Sequence, residues 1–117
     1  MKKIAFLLLC SLITSCAHNN SLTPEKENAV NEVRLQYYKC ILDNAKELMG
    51  STDDVKFLTD HIMSLCDMKL NESNDKLESI GLDRHYRKGY IAGIRYRAKN
   101  DLSSMILRYN MKQKEKL

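Results

Sequence analysis

The sequence predicts an all-α protein, a three-helix bundle-like domain in which an antiparallel helical hairpin is followed by a long third helix, with one intrachain disulfide. Three observations carry this. The composition favours helix, with one Pro, four Gly and no Trp among 117 residues. Apolar residues return every three or four positions through three long stretches, the spacing of one helical face, and no stretch alternates apolar and polar residues as a half-buried strand requires. Gly50 and Gly81 close the first two stretches, where a left-handed C-cap is least costly without a Cβ.

Ahead of the first helix, Lys2 and Lys3 lead into the apolar run Ile4-Ala5-Phe6-Leu7-Leu8-Leu9-Cys10, continued by Leu12 and Ile13. This is the layout of a secretory signal peptide. The run is about ten residues, whereas roughly twenty are needed to cross a hydrocarbon core. Its end, Ile13-Thr14-Ser15-Cys16, resembles the lipobox of bacterial membrane lipoproteins, with an aliphatic residue three places before the cysteine and a small one just before it. The resemblance covers the first 17 residues. It implies that residues 1–15 are a signal peptide removed in processing, and that Cys16 becomes the acylated amino terminus, carrying fatty acids such as palmitate. Two or more chains give stable anchoring without a spanning helix. In a cell with two membranes, Ala17 in place of aspartate implies the outer membrane, facing the periplasm. An ordinary secretory signal is the alternative, and neither reading leaves the mature chain in the cytoplasm.

Processing leaves about 102 residues, enough for one small domain and a tether. Residues 16–23 read as the lipidated cysteine and a flexible polar tether; residues 24–117 read as a single helical domain. Thr23-Pro24-Glu25 is a helix start, with Thr as N-cap, Pro at the first helical position and an acid at the positive end of the dipole. The first helix is expected to run to about Met49 and to bury Val30, Val33, Tyr37, Ile41, Ala45 and Leu48. After the Gly50 cap, Ser51 or Thr52 is expected to cap a second helix, which carries Val55, Leu58, Ile62, Leu65, Cys66 and Leu70 on one side. The short connection argues for an antiparallel hairpin. The polar run Asn71–Asp75 reads either as a break in this helix or as an exposed turn of it, before Leu77 and Ile80 return to the core. Asp83 opens the third helix, with Tyr86, Tyr90, Ile94, Ala98, Leu102, Met105 and Tyr109 on one face up to about Asn110, and the charged tail beyond it is expected to fray.

With Cys10 removed and Cys16 acylated, Cys40 and Cys66 remain, and in an oxidising compartment they most simply pair. Cys40 precedes the hairpin turn by about as many residues as Cys66 follows it, which puts both at one height. A redox or metal role is the alternative, but C-x-x-C spacing is lacking.

Charge is unevenly distributed. Residues 17–78 carry seven basic and twelve acidic side chains, residues 79–117 ten basic and three acidic. On the third helix Arg84, Lys88, Arg95 and Lys99 fall within about 60° of one another and form a basic ladder. It is a candidate interaction face for an envelope protein or an anionic lipid surface, or else an internal match to the acidic helices. Nucleic acid is not expected as a partner. Gly89 and Gly93, spaced G-x-x-x-G, suggest close contact with the first or second helix in preference to a dimer seam. Tyr38 and Tyr96 fall off their apolar stripes and are candidate interface residues. His18, His61 and His85 share no helical face with other ligands, so no metal site is expected. The sequence contains no phosphate loop, nucleophile elbow or zinc-protease motif, so neither a cofactor nor an enzymatic activity is expected. These readings lead to a small envelope lipoprotein working as a structural or protein-interaction module. The alternative is an immunity or inhibitor protein acting on a periplasmic toxin or lytic enzyme.

Overall fold

A computed structural model describes residues 22–116. The signal peptide, Cys16, His18 and most of the tether lie outside the described residues. Three helices follow in order: α1 (Pro24–Leu48), α2 (Val55–Ser79) and α3 (Arg84–Glu115). The described residues contain no strand.

Each helix starts on a side-chain cap. Thr23 Oγ1 accepts from the Lys26 amide at 3.3 Å, Asp54 from the Phe57 amide at 2.9 Å and Asp83 from the Tyr86 amide at 2.8 Å. The second of these corrects the sequence reading, since neither Ser51 nor Thr52 is the cap. Thr52 accepts instead from the Asp54 amide, bracing the turn one step earlier. Gly50 and Gly81 have φ of 88° and 90°, the left-handed geometry their positions suggested. Leu22 is half-buried against the Val30, Val33, Leu77 and Leu82 cluster, so the packed domain begins inside the stretch read as tether.

α2 lies between its two neighbours and packs along both, while α1 and α3 meet sparsely. The main core joins Tyr37, Ile41 and Ala45 of α1, Leu58, Ile62, Met63, Cys66 and Leu70 of α2, and Ile94, Ala98, Leu102 and Ile106 of α3. Cys40 and Cys66 are bonded, with Cα atoms 5.9 Å apart, which fixes the α1–α2 register. α2 continues unbroken through Asn71–Asp75. Ser73, buried there, satisfies its hydroxyl on the Lys69 carbonyl at 2.6 Å.

Several core assignments change: Leu48, Val55, Ile80, Tyr90 and Tyr109 are half-buried, and Tyr86, expected on the apolar face of α3, is 37% exposed. Leu65 is 48% exposed, because it lies about 100° round α2 from the middle of the buried arc, whose far side encloses Met63. On α3 the buried residues step by four, Ile94, Ala98, Leu102, Ile106, and each step advances about 40° beyond a full turn. The contact stripe therefore drifts round the helix, enclosing Ile106 and leaving Met105 half-buried. α3 also stays helical to Glu115, where fraying was expected, and its residues from Met111 onward are exposed. They extend past the packed part of the domain.

Tyr37 is fully buried, and among the described residues its hydroxyl finds only the Met63 sulfur, 3.8 Å away. Burial, reinforced by the negative charge of Asp67, pushes this phenol from 10.0 to about 12. A phenol whose folded pKa lies above its unfolded value contributes stability that is complete below pH 10 and lost as pH rises towards 12. An absorbance titration at 295 nm should show one tyrosine ionising last, together with unfolding, and Tyr37→Phe should remove that step. Because thioether sulfur is a weak acceptor, Tyr37→Phe should change stability at neutral pH by less than about 1 kcal/mol.

Candidate functional site

The basic ladder divides in two. Arg95 Nε donates to Asp67 Oδ1 at 3.2 Å, and Lys99 Nζ lies 3.6 Å from Asp60 Oδ1, so the C-terminal half is matched by acids of α2. Asp60 is shared with Lys56 at 3.0 Å, and that hydrogen bond holds its carboxyl below the usual carboxylate range. Arg84 and Lys88 make no ion pair with described residues. With Arg87 they border a hollow of ≈ 420 Å³ over Leu70, Asn74 and Ile91. Arg87 is held in place by Asn74, 3.2 Å from its Nε, and by the Leu82 carbonyl. The four ladder residues are thus two internal partners of α2 and two solvent-facing cations.

The G-x-x-x-G expectation is overturned. A Cβ placed on Gly89 would meet nothing within 4 Å, and one on Gly93 only the Arg97 guanidinium at 3.5 Å. No described helix approaches either glycine, because α3 turns its Ile94 to Ile106 stripe inward and these two residues lie on another side. The close approach occurs at Gly50, where an added Cβ would lie 3.0 Å from the Tyr109 hydroxyl.

The two off-stripe tyrosines behave differently. Tyr38 is half-buried; its ring stands edge-on to Tyr37 and its hydroxyl donates to Asp101 Oδ2 at 3.4 Å. Burial and the Asp101 carboxylate both raise its pKa. Tyr96 is 69% exposed, and Leu35, Phe57 and Met68 are more than 60% exposed. Tyr96 was expected off its stripe, whereas Leu35, Phe57 and Met68 were not singled out from the sequence, because exposed and buried apolar residues look alike until the packing face is known.

Among the described residues, no three His, Cys, Asp or Glu side chains are placed to hold a metal ion, and no helix is long and apolar enough to cross a membrane. Comparison of the chain with known families, with curated proteins and with solved structures found no match in any of the three.

Proposed function

We propose that the protein is a small envelope lipoprotein, tethered by acyl chains on Cys16 to the periplasmic face of the outer membrane, and that its helical domain is a protein-interaction module. The observation that carries the interaction role is the large apolar side chains standing in solvent on all three helices, among them Leu35, Phe57, Met68 and Tyr96. Exposed apolar side chains can supply the contact area of a protein interface. The lipobox-like stretch supports the address, and a disulfide fits an oxidising compartment.

The test is a paired one. In Cys16→Ser, labelled fatty acid should no longer be incorporated and the protein should leave the outer-membrane fraction; unchanged processing and retention would refute the anchor. A photo-crosslinker at Met68 or Tyr96 should trap a defined envelope protein. One lytic enzyme trapped in one-to-one ratio would favour the inhibitor reading, whereas no adduct from either position would refute the interaction role.

A further inference from the structure

The sparse seam between α1 and α3 carries more. It is tied at two points, Tyr90 Oη donating to the Val30 carbonyl at 2.9 Å and Tyr38 Oη to Asp101 at 3.4 Å. To one side of the second tie it opens into a hollow of ≈ 370 Å³ lined by Arg34, Leu35, Tyr38, Ile94 and Arg97. To the other side lies a hollow of ≈ 550 Å³ whose lining includes Met49, Asp101, Met105, Arg108 and Lys112. The two hollows lie in line along the seam and make an interrupted groove, crossed by the Tyr38–Asp101 hydrogen bond. From Ile94 to Lys112 the groove follows α3 for about 27 Å.

Its apolar lining comes from Leu35, Tyr38, Ile94, Met49 and Met105, with Leu35 64% exposed at its edge. Its rim is cationic. Arg34, Arg97, Arg108 and Lys112 make no ion pair with described residues, and Asp101 is the one carboxylate lining either hollow. The contrast with the opposite flank of α3 is informative, because there Arg95 and Lys99 are answered by acids of α2.

We propose that this groove seats an acidic amphipathic helix supplied by a partner protein. A helix lays an apolar stripe into such a groove through residues spaced i, i+3, i+4 and i+7, and about 18 residues span the length available. Glu or Asp on both flanks of that stripe would meet the rim, where arginine favours paired hydrogen bonds to carboxylate. A lipid surface would meet the same cations, and the vesicle arm of the test below separates it from a helix. The inference rests on the interaction role proposed above and names the class of partner.

The test uses the mature protein beginning at Cys16, held in zwitterionic nanodiscs, and a labelled 18-residue amphipathic peptide with Leu on one stripe and Glu on both flanks. A twin peptide carries Lys in place of Glu. The Glu peptide should bind saturably and at least tenfold more tightly than the Lys peptide. The double substitution Arg97→Glu with Arg108→Glu should invert that preference, while Lys88→Glu on the other flank should leave it unchanged. Inversion cannot arise from unfolding, so the outcome does not depend on the stability of the variant. Equal affinity for the two peptides, no saturable binding, or a preference untouched by the double substitution would overturn the proposal. So would phosphatidylglycerol vesicles that displace the Glu peptide and bind through the same two arginines, since the groove would then be a lipid site. Loss of peptide binding alongside intact crosslinking from Met68 or Tyr96 would remove the groove assignment and leave the broader role standing.

Discussion

Cys40→Ser should lower the unfolding free energy by about 3 kcal/mol, Cys66→Ser by a similar amount, and the double variant by no more than either alone. The bond joins positions 26 residues apart, and a closed loop of that size removes about 3.5 kcal/mol of unfolded-chain entropy at 25 °C in the chain-entropy model. For a domain of this size, whose total stability is expected to be about 5–15 kcal/mol, that is a large fraction. Two residues sharing one bond are fully coupled, so their losses do not add. Denaturant titration of the three variants under non-reducing conditions reads this directly, and near-additive losses would mean that the cysteines act separately. The bond is also enclosed: Cys66 is fully buried, Cys40 half-buried, and Asn44 Nδ2 sits 3.5 and 3.6 Å from the two sulfurs.

The second large effect separates two leucine-like positions that look equivalent on a helical wheel. Ile62→Ala should cost about 3–4 kcal/mol, because a fully buried aliphatic side chain leaves both its transfer energy and a cavity behind. Leu65→Ala should stay within about 0.5 kcal/mol, because its side chain is 48% exposed. Urea denaturation of both variants measures the difference. A large loss at Leu65 together with a small one at Ile62 would rotate α2 about its axis and undo the packing described here.

Much of the fold was legible because local signals agreed with the global one. Thr23, Pro24, Gly50, Gly81 and Asp83 punctuate the chain where the helices begin and end, and the spacing of Cys40 and Cys66 about the turn anticipated the bond. What failed has a common physical cause. Leu65, Met105 and the two helical glycines were assigned from periodicity along single helices, which locates a face but not the neighbour that covers it. α2 has two neighbours, so its buried arc is broadened towards both, and the buried residues of α3 step by four, so its stripe drifts.

The same limit shaped the candidate site. The ladder of Arg84, Lys88, Arg95 and Lys99 was visible as helical spacing, but Arg97, Arg108 and Lys112 share a face of α3 in the same way. Only the packed structure distinguishes the flank whose cations meet Asp60 and Asp67 from the flank that faces an open groove. A useful signal was present in the chain: α2 carries acids at helical spacing, whereas the groove side of α1 presents Arg34, Leu35, Tyr38 and Leu42.

The central claim is a helical module delivered to the envelope and held there by lipid on Cys16. Its most direct test is mass spectrometry of the tryptic amino-terminal peptide of the mature protein extracted from membranes. The predicted result is a peptide running from Cys16 to Lys26, with its cysteine carrying a diacylglycerol and its amino group acylated. A peptide running from Ile4 to Lys26, with the signal uncleaved, or one containing Cys16 with a free thiol, would contradict the account.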